Sequence, residues 1–255
     1  MKNSESFEYQ LSVAEDTENT IGQEVAENYR KAEVFKKYNI DFCCGGNKTL
    51  SSVCRQKNLN YTEIRSELTK VEGQAGTASQ NFQTWDAGFL ADYIVHTHHR
   101  YVKSAIPLLI EYTNKVARVH GQEHPELIDI ATLFAEAAEE LTAHMYKEEQ
   151  VLFPYIKQLS TNHANPEFRH FPAFSSAQQP IRMMELEHET VGELFKSIRI
   201  LTDNYTPPAE ACATYRVSFA KLNEFEEDLH QHIHLENNIL FPKCINLEIA
   251  VRDMI

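Results

Sequence analysis

Apolar residues recur at the three- and four-residue spacing of amphipathic helices along most of the chain, and alternating β-type runs are few. After about residue 85 this pattern predicts four long helices, at about 86–120, 126–159, 179–202 and 208–249. Pro125 suits the first turn of the second helix, and Thr206 with Pro207 suits the start of the fourth. Four amphipathic helices of this length predict an all-α fold with an antiparallel four-helix bundle.

A smaller helical region precedes the bundle. Its helices are expected at about 21–38, 49–56 and 61–71, and two glycines after the first helix allow a sharp turn. The next residues are small and polar, which is typical of a flexible linker. The expected organisation is a tail (1–19), a small helical domain (20–72), a linker (73–84) and the bundle (85–250), in which the loop at 160–179 is unusually long.

One motif occurs twice in the bundle. The pattern H-x-x-x-E-x-x-[VI]-L-F-P spans residues 144–154 and again residues 232–242. A His and a Glu four residues apart project from the same face of a helix, so each copy offers one imidazole and one carboxylate. A single copy would be as consistent with an ordinary surface pair on an acidic helix. Two copies with matching flanking residues indicate one metal centre, built by an internally duplicated fold.

The repeat also includes one histidine on the helix before each motif. His99 precedes His144 by 45 residues, and His188 precedes His232 by 44. These histidines lie on apolar helix faces, where an uncompensated polar group is costly and metal coordination relieves the cost. The predicted ligands are four histidines and two glutamates: His99, His144, Glu148, His188, His232 and Glu236.

The first long helix offers three histidines for one position. His99 aligns with Val102 and Ile106 on an apolar face and is preferred, while His98 is the alternative. His96 groups with charged residues and is expected to be exposed.

The ligand types narrow the choice of metal. Imidazole and carboxylate without thiolate suit iron or manganese, and imidazole also suits zinc. Two carboxylates in one core are suited to bridging two ions, which lie about 3.5–4 Å apart in such sites.

Further carboxylates are candidates for chemistry around the metal. Glu140 lies one helical turn before one predicted ligand, and Glu187 directly precedes another. Both could relay protons or guide a departing metal ion, and the alternative is that they are ordinary surface glutamates. Asp228 stands four residues before His232, as Glu140 stands four residues before His144.

Cys43 and Cys44 stand at the glycine turn after the first helix. Vicinal thiols can trap a metal or form a strained, reducible bond, and the alternative is two small residues that pack a turn. A helix expected from about Thr49 should lower the pKa of a nearby thiol. The other cysteines are expected in the core and the other histidines on the surface: Cys54, Cys212 and Cys244; His120, His124, His230 and His234.

Composition and charge exclude some classes of function. A formal net charge of −13 without a basic patch argues against nucleic-acid binding. No apolar run approaches the roughly 20 residues that span a bilayer, and the start of the chain lacks the apolar core of a signal peptide. Five cysteines without the spacing of a disulfide framework fit a reducing compartment. These features predict a cytoplasmic protein without nucleic-acid or membrane partners.

The chain resembles the repair of iron centres (RIC) family, whose members carry a haemerythrin-like domain, over about residues 20–245. The resemblance rests on Asp-Phe-Cys-Cys-Gly-Gly at 41–46, on Glu187-His188 and on both copies of the doubled motif. The family places a ligand histidine eight residues before a proline, and Pro107 then points to His99.

The resemblance implies two non-haem irons bridged by an oxo group and by Glu148 and Glu236. It implies repair of iron–sulfur clusters after oxidative or nitrosative stress, by donation of iron. The implied partners are damaged iron–sulfur proteins or a cluster-assembly scaffold, and a homodimer is compatible with the sequence. Reduction of nitric oxide at the centre is the enzymatic alternative, and a dioxygen or nitric oxide carrier or sensor is the binding alternative. The 160–179 loop departs from the family pattern, which leaves access to the centre open.

Overall fold

The computed structural model describes residues 18–72, 81–164 and 176–253. Within these ranges the regular structure is helical, apart from one isolated bridge between Thr20 and Thr49. The all-α prediction is therefore confirmed. The other residues, which include most of the expected tail and linker and the centre of the long loop, lie outside the described ranges.

Within residues 18–72 the structure has four helices: α1 (Ile21–Glu27), α2 (Lys31–Lys37), α3 (Leu50–Lys57) and α4 (Tyr61–Glu72). Thr20 begins α1 with a capping box, in which its hydroxyl accepts a hydrogen bond from Gln23 N (3.2 Å). The single helix predicted over 21–38 is wrong. Asn28 has an extended backbone, and its side-chain oxygen accepts a hydrogen bond from Arg30 N (3.2 Å), which competes with the helix.

Four long helical rods follow, and three of them contain a π-helical turn. In chain order the elements are α5 (Ala87–Ile94), π1 (Val95–His99) and α6 (Arg100–His120); α7 (Glu126–Lys147), π2 (Glu148–Leu152) and α8 (Phe153–Ala164); α9 (Gln178–Leu201); and α10 (Ala213–Leu235), π3 (Glu236–Leu240) and α11 (Phe241–Asp253). Helix α7 packs on α6 and α9, while α8 packs on α5 and α11. The rods form the predicted bundle.

Two predicted helix boundaries in the bundle are wrong. The second rod continues to Ala164 instead of ending near residue 159. The fourth rod begins at Ala213 instead of near residue 208, so Thr206 is not its N-cap. Thr206 N donates a hydrogen bond to Thr202 O (2.9 Å), so Thr206 belongs to the turn that ends α9.

The prolines of the doubled motif explain two of the π turns. Pro154 and Pro242 each stand two residues after a π turn, near the start of α8 and α11. Proline donates no backbone hydrogen bond, and its ring collides with the carbonyl four residues earlier in a regular helix. A wider turn at that carbonyl relieves the collision, so the rod continues through the proline.

The chain divides into two compact units. One comprises Met1–Trp85 together with His234–Ile239, a short stretch of the fourth rod; the other comprises Asp86–Ile233 and Leu240–Ile255. The second unit has a core of aromatic rings, in which Phe134, Phe195 and Phe225 are fully buried and in mutual contact. Among the described residues, no helix is long and apolar enough to cross a membrane.

The first unit contains a buried ion-pair network beside its apolar core. The side chain of Lys31 is only 3% exposed and pairs with Glu24 and with Glu72 (2.7 Å). Arg65 also pairs with Glu24, at 2.7 Å. Burial alone would raise the pKa of Glu24, but the hydrogen bonds from Lys31 and Arg65 outweigh it and leave that pKa lowered.

Candidate metal centre

The six predicted ligands come from all four rods, and three of them lie in π turns. His99 ends π1, Glu148 begins π2 and Glu236 begins π3. A π turn shifts the helix face by one residue and is often found at functional sites. The 3.6-residue periodicity of the sequence does not reveal these turns, although Pro154 and Pro242 could have indicated two of them.

The structure brings the six side chains into two groups that share both glutamates: His99 with His232, and His144 with His188, each with Glu148 and Glu236. Within a group the ligand atoms lie within 4.8 Å of one another. None of the six side chains is more than 2% exposed. Glu148 Oε2 lies 3.3 Å from Nε2 of both His99 and His144, so one carboxylate faces both groups.

In each group the two imidazoles face each other through their Nε2 atoms. These atoms are 3.1 Å apart for His99 and His232, and 3.0 Å apart for His144 and His188. Two nitrogen lone pairs at this distance repel unless a cation or a proton lies between them. Imidazole nitrogens bind metals at about 2.0–2.1 Å, so two nitrogens at this separation can share one ion. The donors therefore fit one metal ion in each group.

Glu149 binds Nδ1 of His99, which is the outer nitrogen because Nε2 is the one inside the ligand group. It accepts a hydrogen bond from His99 Nδ1 (2.8 Å) and contacts Lys103 through both of its oxygens (2.6 and 2.8 Å). A proton on Nδ1 leaves the lone pair on Nε2, which is the nitrogen inside the ligand group. Burial alone would raise the pKa of Glu149, but hydrogen bonds from Lys103 and His99 outweigh it and lower that pKa.

Glu187 holds His144 in the same way. It accepts a hydrogen bond from His144 Nδ1 (2.9 Å) and pairs with Lys147. Its pKa is lowered because the hydrogen bonds from His144 and Lys147 outweigh the effect of burial. Glu140, the other predicted carboxylate, is exposed and is not brought to the ligand imidazoles. Sequence reasoning missed Glu149, although adjacency to a ligand, which pointed to Glu187, could have found it.

The phenylalanine of each motif copy packs on a ligand imidazole from another rod. Phe153 stacks on His99, with ring centroids 5.6 Å apart and an interplanar angle of 20°. Phe241 stacks on His188, at 6.2 Å and 7°. The doubled motif therefore supplies ring support for the ligands of the first and third rods as well as ligands of its own.

His98, the alternative to His99, lies outside both ligand groups. It is buried, its Nδ1 is 2.9 Å from Asp228 Oδ1, and its ring stacks on His232 at 5.6 Å. Asp228, the expected counterpart of Glu140, is thus a partner of His98.

Cys43 and Cys44 lie in a turn between α2 and α3, and both are free thiols. Asp41 Oδ1 accepts hydrogen bonds from the backbone N–H groups of both cysteines, at 2.9 and 3.0 Å. The expected lowering of a thiol pKa is wrong for Cys43. Its hydrogen bond with Cys44, its burial and the carboxylate of Asp41 raise its pKa well above the ordinary value.

Two expectations for other side chains are also wrong. Cys212 is exposed, although the remaining two cysteines are buried as expected. His234, expected on the surface, is 1% exposed and contacts the rings of Tyr29 and Phe42 at 5.8 and 5.9 Å. Burial lowers the pKa of His234 to about 3, so this imidazole is neutral at physiological pH.

Comparison with known proteins matches both regions of the chain. The sequence profile of the Hemerythrin HHE cation binding domain matches residues 90–244, and that of a domain of unknown function (DUF542) matches residues 17–72. A Haemophilus influenzae protein named "Probable iron-sulfur cluster repair protein" is 38% identical over 217 residues, which are 84% of this chain and 91% of the relative. The chain belongs to the RIC family.

Two further relatives are similar to this RIC-family chain along most of its length. "Iron-sulfur cluster repair protein YtfE" of Enterobacter sp. (strain 638) is 37% identical over 225 residues, 88% of this chain and 96% of the relative. The protein of the same name from Yersinia pestis (strain Pestoides F) is 36% identical over 219 residues, 86% and 93% of the two chains. The family and the haemerythrin-like bundle predicted from the motifs are confirmed. The profile match and the two His/Glu groups together assign cation binding to the bundle.

Proposed function

We propose that this protein is a cytoplasmic di-iron protein that repairs iron–sulfur clusters damaged by oxidative or nitrosative stress, by donating iron. The observation that carries the proposal is the sharing of Glu148 and Glu236 by two pairs of histidines. Shared carboxylates are the usual means of holding two ions close together. The names of the relatives supply the class of recipient, which is an iron–sulfur protein.

The pairing of the histidines supports one arrangement of the ligands. His99 and His232 would hold one iron, His144 and His188 would hold the other, and Glu148 and Glu236 would be shared by both, as would an oxo group. The facing Nε2 atoms of each pair, 3.1 and 3.0 Å apart, would both bind the same iron. When bound, the pair of irons supplies exchangeable, redox-active metal.

The chain's own residues hold the ligands and move protons around them. Glu149 and Glu187 keep a proton on the outer nitrogen of one histidine in each group. Their side chains are 20% and 17% exposed, so each links a buried imidazole to the solvent. Glu149 and Glu187 can carry a proton between these outer nitrogens and the solvent, and they keep each histidine in the tautomer whose inner nitrogen would bind metal. Cys43 and Cys44 would hold iron in transit as thiolate ligands.

The test loads the protein with isotopically labelled iron and adds an iron–sulfur hydratase inactivated by nitric oxide. We expect about two irons per chain, antiferromagnetic coupling in the Mössbauer spectrum, and label in the cluster of the reactivated enzyme. Glu187→Gln should slow reactivation several-fold, and Glu140→Gln serves as its matched control because that side chain is exposed. Cys43→Ala should abolish transfer of the label.

Three results would contradict the proposal. Zinc in place of iron in the purified protein would remove the redox-active centre. Reactivation without label in the recipient cluster would exclude iron donation. Production of nitrous oxide over many turnovers, without reactivation, would favour nitric oxide reduction at the same residues.

A further inference from the structure

The turn between α2 and α3 brings together three metal-ligand side chains that are not among the six of the bundle. Asp41, Cys43 and Cys44 offer a carboxylate oxygen and two sulfurs, all within 4.8 Å of one another. Asp41 is exposed, Cys44 is half-buried and Cys43 is buried. A solvated ion could therefore enter from the Asp41 side and exchange its water for sulfur.

The spacing of the two sulfurs fits a shared metal. The Sγ atoms of Cys43 and Cys44 are 4.0 Å apart. Two thiolates bound to one tetrahedral metal at about 2.3 Å would lie about 3.8 Å apart. Thiolate ligands select borderline and soft ions such as ferrous iron or zinc over magnesium or calcium. The turn therefore suits a divalent transition metal with little change of its backbone.

An asparagine from the stretch 234–239 of the same unit holds this turn. Asn238 Nδ2 donates hydrogen bonds to the carbonyl oxygens of Phe42 (3.1 Å) and Cys43 (3.3 Å). Asn237 Nδ2 adds a longer one to Cys43 O (3.4 Å). These bonds fix the backbone that carries both sulfurs.

Two glycines make room for this asparagine. A Cβ atom at Gly22 would lie 2.1 Å from Asn238 Oδ1, and one at Gly46 would lie 2.5 Å from it. Real Cβ atoms do not approach another atom so closely, so any larger residue would displace Asn238. The segments that carry Gly22, Gly46 and Asn238 thus approach one another closely around the side chain of Asn238.

The two copies of the doubled motif differ at these positions. In the first copy the two residues after the glutamate ligand are Glu149 and Gln150, and Glu149 supports His99. In the second copy they are Asn237 and Asn238, which hold the cysteine turn. The second copy thus carries an iron ligand and the support of the cysteine turn within three consecutive residues.

We propose that Cys43, Cys44 and Asp41 form a third metal site, which takes one divalent transition-metal ion, and that Asn238 is its positioning residue. The proposal rests on the proposed function, in which the ion is ferrous iron in transit to a recipient. Binding replaces two S–H bonds with two sulfur–metal bonds and releases two protons to solvent, with no change of oxidation state. Three protein ligands leave one position of a tetrahedral ion open for a ligand of the recipient.

The test adds cobalt(II) alone to reduced, full-length protein whose bundle already holds its iron. We expect about one cobalt per chain, a thiolate-to-cobalt charge-transfer band and about two protons released per cobalt. Cys43→Ser and Cys44→Ser should each abolish the band. Asp41→Asn and Asn238→Ala should each weaken cobalt binding about tenfold. Cys212→Ser is the matched control, because that thiol is exposed, and it should leave binding unchanged.

The outcomes separate this site from the bundle centre. The proposal of a third site is wrong if the wild-type protein lacks the band, or if the band is still present in both serine variants. Unchanged cobalt affinity in Asn238→Ala overturns the positioning role. Iron content is measured before cobalt is added, so a value far from about two per chain contradicts the proposed function instead, while the cobalt band still reports on the turn.

Discussion

Replacing Glu149 by Gln tests whether the carboxylate behind His99 stabilises the metal centre. Glutamine keeps the size of the side chain and can still accept a hydrogen bond from His99 Nδ1, but it loses the charge and the pairing with Lys103. His99 belongs only to the group that contains His232. Binding of the ion in that group should therefore be weakened first.

The expected loss of metal affinity follows from the difference between a hydrogen bond to a charged group and one to a neutral group. A bond to a charged group contributes about 1.5–3 kcal/mol and a neutral one about 0.5–1.5 kcal/mol. The substitution Glu149→Gln should thus cost about 1–1.5 kcal/mol, which is roughly a five- to twelvefold loss of metal affinity. Lys103 is 53% exposed, so its ion pair is screened, and Lys103→Met should cost no more than about 1 kcal/mol.

The assay follows the release of iron to a ferrous chelator from protein loaded with labelled iron, and Mössbauer spectra identify which of the two iron environments changes. Glu139→Gln is the matched control, because it removes the same charge from an exposed position on α7. Release from Glu149→Gln at the rate of this control would refute the role of the carboxylate. Equal changes in both iron environments would contradict the assignment of His99 to one group.

Three further substitutions test other parts of the structure. Glu148→Ala removes a ligand from both groups, so metal analysis should find less than about one iron per chain, whereas loss of a single histidine should leave about one. Gly22→Ala should lower the free energy of unfolding in urea by about 1–3 kcal/mol, because the new Cβ would lie 2.1 Å from Asn238 Oδ1. Adding Asn238→Ala should recover part of that loss, and simple additivity would contradict the steric explanation. Glu24→Gln should cost about 3 kcal/mol at neutral pH, because it removes a partner of the buried Lys31. The folded pKa of Glu24 is lowered from 4.5, so its contribution is present above that pH and is lost as the pH falls through the folded pKa. Acid unfolding should therefore show the gap between variant and wild type closing below about pH 4, and a constant gap would contradict the ion-pair explanation.

Much of the bundle could be predicted from the sequence because helix periodicity and ligand spacing are local properties. The preference for His99 over His98 rested on the difference of about 100° between adjacent residues on a helix, together with the family's spacing to Pro107. The break at Asn28 was not predicted, because a single side-chain hydrogen bond competes there with an otherwise continuous apolar pattern. Similarly, His234 has the spacing of a surface residue and is buried only because the N-terminal region covers it.

The sequence by itself indicated six candidate metal ligands, four of them because a His and a Glu four residues apart share a helix face in any packing. Tertiary structure decided how they pair. His99 meets His232 across 133 residues, and Asn238 meets the carbonyl of Cys43 across 195. Such contacts depend on which rods and segments pack against one another, and no periodicity along the chain records that arrangement. The carboxylate behind His99 and the asparagine behind Cys43 became visible for the same reason, because each acts on a partner far away in sequence.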